Sequence, residues 1–359
     1  MPVPWLNGKG AEGDVAVASR AELVRNFSFV PFPETADNDQ RERVRTLIRQ
    51  ASQNGLDAGR GGWFAVEGLD IEICRQLAER WLTEPDLPAD AAGKDVWLSG
   101  NGEAAVLVNH REHLSIRACK AGFDLSGAVA RAEQWLVALN LSTMIAFVPE
   151  LGYITSCPKR QGSGLSLSVI LHLPGLLLRD RTEALPRAAK QMRIQIGGAF
   201  GGGERVGGGF FEFAWQANGE RQGAILVAAA EKVIRQLIDS ERRARRELRF
   251  NDRERLLDYV GRAYGILRYA ARLRESEMIG LVSGLRLGCR LGLLPRLSAT
   301  EVEGWPVLLR DRHLQAQPED ASSPTRNGCE RRALLIKRHL RQAEPGGVEP
   351  SQRQWQEQV

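Results

Sequence analysis

A chain of 359 residues that is 43% hydrophobic and 26% charged is long enough for two domains and apolar enough to bury a core. Its net charge of +5 is too small to argue for a nucleic-acid surface, and no apolar run reaches the roughly 18 residues of a membrane span. The opening MPVPWLNGKG does not read as a secretory leader, and five scattered cysteines (Cys74, Cys119, Cys157, Cys289, Cys329), none in a Cys-x-x-Cys pair, fit a reducing, cytoplasmic setting and offer no zinc site.

Residues 1–14 are rich in Gly and Pro and read as a loose N-terminus. A helix is predicted over 38–56, with Val44, Leu47 and Ile48 as its apolar stripe and Asn54-Gly55 as its stop. A second covers 70–83, where Ile71, Cys74, Leu77 and Leu82 face one way. Strand-like runs at 94–99 and 104–108 flank Gly100-Asn101-Gly102, a hairpin signal. Next come a helix at 124–140, strands at 145–148 and 167–173, a helix at 181–195, a Gly-rich loop at 197–209 and a strand at 210–215. Residues 222–275 read as one long helix or two, followed by a helical tail (276–315), a linker (316–328), a basic helix (329–342) and a polar tail (343–359). The mixed order predicts an α+β fold: an antiparallel sheet flanked by helices over 15–240, then an all-helical domain over 241–342.

Three segments carry chemistry. The first, residues 108–114, reads Val-Asn-His-Arg-Glu-His-Leu directly after a strand. The second, 152–164, reads Gly-Tyr-Ile-Thr-Ser-Cys-Pro-Lys-Arg-Gln-Gly-Ser-Gly and leads into a strand ending in His172-Leu173-Pro174. The third joins Tyr264-Gly265-Ile266-Leu267 to Leu285-Arg286-Leu287-Gly288 and Leu291-Gly292-Leu293-Leu294. With Ser19-Arg20, Arg25-Asn26 and Pro31-Phe32-Pro33 upstream, their order resembles the ATP:guanidino phosphotransferases, and within them the bacterial protein-arginine kinases, from about residue 15 to 340. The resemblance implies the guanidino kinase catalytic fold, followed by a helical C-terminal domain.

Transfer of a phosphoryl group from ATP to a guanidinium needs cations around the triphosphate and a carboxylate that orients the guanidinium and takes its proton. The resemblance places that carboxylate at position 111, which is Arg111, preceded by His110 and followed by Glu112 and His113. An arginine stays protonated and repels a guanidinium. Among the implied nucleotide contacts, Ser19 and Arg20 remain, but Glu22, Ser115, Ser166 and Gly197 stand where arginines belong, Gly202 where a glutamate belongs, and Trp81 where a histidine belongs. Each charge-assisted contact is worth about 1.5–3 kcal/mol, so the losses remove most of the expected ATP affinity. Cys157, beside the guanidinium in the family, is kept; Lys159 and Arg160, with Arg111, are candidates for a rebuilt cationic pocket.

The remaining features read more plainly. His110, Glu112 and His113 lack further ligands for a metal, and the Gly-rich loop lacks the pattern of a phosphate cradle. Eleven arginines in 240–274, interspersed with acids, read as a solvated face laced with i,i+4 pairs, or as a surface for an acidic partner. Arg331 and Arg332 fall where the resemblance implies a phosphoarginine pocket, of which only the Arg-Ala half survives. Three functions follow. One is a catalytically impaired pseudokinase with a regulatory or binding role, partnered by itself or a related arginine kinase. The second is a kinase using Mg-ATP, with Glu112 as base and Lys159 and Arg160 for phosphate. The third is a phosphoarginine-binding adaptor for a Clp-type protease. None calls for a membrane or for nucleic acid.

Overall fold

The computed structural model describes residues 3–53, 61–200, 207–316 and 327–342. In chain order these form β1 (Ala16–Arg25), α1 (Asn38–Ser52), β2 (Gly61–Ala65), α2 (Ile71–Glu79), β3 (Asp95–Ser99), β4 (Ala104–Val108), β5 (Leu114–Ala121), α3 (Leu125–Leu139), β6 (Phe147–Val148), β7 (Gly152–Tyr153), β8 (Leu165–His172), α4 (Pro174–Leu178), α5 (Leu185–Gln191), β9 (Gln195–Gly198) and β10 (Phe210–Gln216). Helices follow: α6 (Gly223–Asn251), α7 (Arg253–Tyr269), α8 (Glu275–Arg290), α9 (Ala299–Glu303), α10 (Trp305–Leu308), α11 (Asp311–Gln315) and α12 (Gly328–Gln342). No helix among the described residues is long and apolar enough to cross a membrane.

Eight strands form one antiparallel sheet in the order β2-β3-β4-β5-β1-β8-β10-β9. β1 sits near its middle, so both faces of β1 are covered; after a register shift between Ala16 and Ala18, the period of two splits its residues from Ala18 onward. Ala21 and Leu23 join Val169 and Leu171 in a core with Ala128, Ala132 and Trp135 of α3 and Ile234 and Ile238 of α6. Arg20 and Glu22 point to the other face, opposite Ser168 and Ser166 of β8 and Cys119 and Arg117 of β5. That face holds the candidate site. Local signals agree: Asp37 and Gln40 form a reciprocal capping box on α1, and Asp124 caps α3, which ends at Asn140 with φ 49°.

The helices share a core with the sheet, where Ala18, Leu107, Cys119 and Ile170 join their apolar residues. Val260 and Leu267 of α7, Val282 and Leu285 of α8 and Ile336 of α12 pack together. A Cβ on Gly284 would lie 2.7 Å from the Ala263 side chain, and one on Gly288 2.6 Å from Val260, so α8 needs glycine to approach α7. The Leu-Gly motif ending at Gly288 is therefore a packing device. His172, at the end of β8, joins sheet to helices. Its Nδ1 accepts from Arg286 at 2.6 Å and its Nε2 bonds Ser283 at 2.8 Å. Arg286 also bonds Glu303 and the carbonyls of Gly13 and Asp14. Burial and the neighbouring guanidiniums hold His172 well below the usual histidine range, so it is a neutral acceptor there.

Several expectations change. The N-terminal segment is packed, with Val3, Trp5 and Leu6 buried and Trp5 against Trp81. The expected helix 70–83 stops at Glu79, and Trp81 turns back with φ 66°. Helix 181–195 shrinks to α5, because Arg193 takes φ 57° and Gln195 begins β9. Of 145–148 only Phe147 and Val148 are strand. The long helix breaks at Asp252 and ends at Tyr269, and the helical tail is α8 followed by three short helices. Strands β1, β2, β5 and β9 were not among the predicted elements. The stop Asn54-Gly55, Gly202, most of the linker and the polar tail lie outside the described residues.

Candidate functional site

Glu22 stands at the centre of the site and is 4% exposed. It accepts from the Ser115 hydroxyl at 2.6 Å and from Nε and Nη2 of Arg117 at 3.0 and 2.9 Å, with Arg160 at 3.4 Å. Arg117 is fully enclosed and also pairs with Glu84, from the turn after α2. Burial pushes the Glu22 carboxyl up, but Arg117, Arg160 and Arg20 outweigh it and hold it well below the carboxylate range. The same guanidinium holds Glu84 low against its burial. Arg20 lies 4.5 Å above the Trp81 ring and pairs with Glu212 at 3.4 Å, and Trp81 Nε1 donates to the same Glu212 oxygen at 3.1 Å.

The 109–114 turn continues this network. Asn109, at φ 52°, anchors the turn through the carbonyls of Arg41 and Gly93. Arg111 extends over the surface to Asp86 at 3.0 Å, and His110 faces the same carboxylate at 3.4 Å. Burial lowers His110 to about 4 despite Asp86, so the ring is neutral at pH 7. Glu112 is 1% exposed; it accepts from Asn26 at 2.5 Å and from the Ser156 amide at 2.9 Å, which ties the turn to the residue that follows β1 and to the Cys157 segment. Its other oxygen is buried without a protein partner. His113 takes the Phe27 amide on Nδ1 and gives Nε2–H to the Pro31 carbonyl, and burial lowers it to about 4. Both its nitrogens are spent, so it has no lone pair for a metal.

Four guanidiniums (Arg20, Arg111, Arg117, Arg160) thus meet four carboxylates (Glu22, Glu84, Asp86, Glu212) across one face. The formal balance is zero. The other predicted residues scatter. Ser19 points to the opposite face, where its hydroxyl bonds Gly122 and receives the Asp124 amide. Ser166 lies beside Glu22 in register, but its hydroxyl has no protein partner. Gly197 is in the edge strand β9 opposite Glu212. Cys157 is half-buried, and its carbonyl accepts from Thr155 and from the Arg160 amide, which starts the turn that sends Arg160 inward. Lys159 in that turn is exposed. Arg111 and Lys159 therefore do not converge with Arg160 on a free pocket.

In the helical part, Arg332 has no exposed surface. Its Nε and Nη1 donate to the Leu309 and Leu273 carbonyls, both at 2.7 Å, and its Nη2 to Asp311 at 2.6 Å. Arg331 lines a neighbouring cleft of about 500 Å³ with Asp311, Gln315, Asn327 and Cys329.

The model of the ATP:guanido phosphotransferase C-terminal catalytic domain matches residues 43–244, and that of the protein-arginine kinase McsB C-terminal domain matches residues 253–353. Protein-arginine kinases of Syntrophomonas wolfei and Symbiobacterium thermophilum are 29% and 30% identical to this chain over 347 and 342 residues, covering 95% and 94% of it and 96% of each relative. This chain belongs to the ATP:guanido phosphotransferase family. Solved structures agree in fold. Lombricine kinase superposes with a TM-score of 0.54 at 17% identity, covering 66% of this chain and 68% of its own. The duplicated taurocyamine kinase of Schistosoma mansoni gives 0.54 at 20%, covering 67% of this chain and 34% of its own.

Within this family member, the partners that sequence reading missed are Arg117, Glu84, Asp86 and Glu212. Arg117 had a signal: it is two residues past Ser115 on a strand, hence on the same face. The acids had none, because each meets its arginine across 25 to 192 residues of chain.

Proposed function

We propose that this chain is a pseudokinase: a member of the guanidino phosphotransferase family that keeps the fold and acts by binding rather than by phosphoryl transfer. One observation carries the reading. Glu22 occupies the heart of the arginine cluster as an internal anion, and its carboxylate takes the hydrogen bonds that phosphate oxygens would need. The triphosphate of Mg-ATP does not fit such a site, since a polyanion entering it meets a balanced network and a desolvated carboxylate. Arg111 adds to this. Where a guanidinium substrate needs a carboxylate, the chain presents a cation already paired with Asp86. Glu112 does not replace the missing base, because it is buried and holds Asn26 and Ser156. The phosphoarginine reading also loses support, because Arg332 is enclosed and spends its guanidinium on the Leu309 and Leu273 carbonyls and the Asp311 carboxylate.

The expected result is no phosphoryl transfer. Purified full-length protein incubated with γ-labelled Mg-ATP and an arginine-rich protein should yield no acid-labile phosphoarginine above a no-enzyme control. Turnover that is abolished by Glu112→Ala would overturn the reading and restore an active kinase with a rearranged base.

A further inference from the structure

We infer that the C-terminal half of α6 is a docking face for an acidic protein segment with an apolar side chain at its centre. Arg243, Arg246 and Phe250 are spaced i, i+3, i+7, which puts them on one face of the helix, and Arg249 flanks them. All four are exposed, and Phe250, at 79%, is the most exposed large apolar side chain among the described residues.

Elsewhere on these helices two exposed arginines show the i,i+4 lacing, Arg235 with Glu231 and Arg262 with Asp258, and Arg255 pairs with Asp180. Arg243, Arg246 and Arg249 have no hydrogen-bond or ion-pair partner among the described residues. Part of the reason is local, although Asp239 stands four residues before Arg243 without pairing to it. Glu247, four residues after Arg243, is taken from the other side by Arg181 at 2.9 Å and Arg179 at 3.6 Å. Position i+4 from Arg246 is Phe250 itself. The three unpartnered guanidiniums also neighbour one another, Arg243 with Arg246 and Arg246 with Arg249 at i,i+3, so like charges adjoin on this face. An external set of carboxylates relieves this repulsion, and planar guanidiniums pair with carboxylates in two-point fashion.

The patch fits a protein better than a nucleic acid. It covers about 10 Å of helix from Arg243 to Phe250, too short to track a phosphate backbone. A lone aromatic ringed by arginines is the usual make-up of a protein hot spot, whereas single-strand binding uses successive stacking platforms. The inference does not depend on whether the cleft transfers phosphate.

The test uses full-length protein and two fluorescent probes, an amphipathic peptide of Glu and Leu and a single-stranded oligo-dT, read by anisotropy at low and moderate salt. The peptide should bind. Combined Arg243→Glu, Arg246→Glu and Arg249→Glu should weaken it by about tenfold or more, and Phe250→Ala by several-fold, with Arg262→Glu unchanged and all variants melting like wild type. Three results overturn the proposal: peptide binding that is absent or survives the triple change, binding indifferent to Phe250→Ala, or oligo-dT binding more tightly than the peptide and lost in the same variants.

Discussion

Glu22→Ala should destabilise the protein by about 3–5 kcal/mol, the range seen when one member of a buried ion pair is removed. The carboxylate is enclosed, and its loss strips Arg117 of a two-point partner, Ser115 of its acceptor and Arg160 of its nearest anion. Glu84 remains on Arg117, which places the effect at the lower end. The melting temperature should fall by roughly 5–15 °C. Two further readings separate this account from ordinary core damage. Pairing the change with Arg117→Met should recover part of the loss, because two desolvated charges leave together, and not all of it, because Glu84 loses its guanidinium. Inorganic pyrophosphate should raise the melting temperature of Glu22→Ala and not that of wild type, since only the variant has guanidiniums to spare for an external anion. A variant that melts with wild type, or wild type that responds to pyrophosphate equally, would contradict the role given to Glu22.

Arg286→Ala should cost a comparable 3–5 kcal/mol, for a different reason. Its side chain is 1% exposed and ties α8 to three pieces of chain: Glu303 of α9, His172 at the end of β8, and the carbonyls of Gly13 and Asp14 in the N-terminal segment. Truncation orphans the Gly13 carbonyl and the His172 ring nitrogen, leaves the Asp14 carbonyl with Arg245 alone, and leaves Glu303 with Arg290 alone. The damage should be directional. Amides of the N-terminal segment, such as those of Gly13 and Val15, should exchange faster in the variant, while those of β4 and β5 keep their protection. Uniform loss of protection across the sheet would mean that Arg286 is simply one more core residue rather than the tie between sheet, N-terminus and helices.

Much of this fold was legible in the sequence because its helices and the β3–β4 hairpin carry clean periodicity and turn chemistry. β1 was not, although it is the centre of the sheet. Its sequence, AVASRAELVR, interrupts apolar residues with Ser19, Arg20, Glu22 and Arg25, which reads as exposed until the opposing strands supply Arg117, Ser166 and Ser168. Burial there is made possible by charge pairing across the sheet, which a local pattern does not record. The same holds for Arg117 in β5. Helix 181–195 was read too long because Arg193 adopts a left-handed conformation that no glycine announces. In the site, the reversal of charge at Arg111 and Glu22 was visible from their motifs. That Glu22 is neutralised from within, by Arg117 and Arg160, was visible only in three dimensions.

The most direct test is calorimetric titration of the folded wild-type protein with Mg-ATP. The balanced network around Glu22 predicts no binding heat up to millimolar nucleotide. Saturable binding in the micromolar range would mean that the cleft still gathers a triphosphate, and would contradict the claim that its cations are already spent on the chain's own carboxylates.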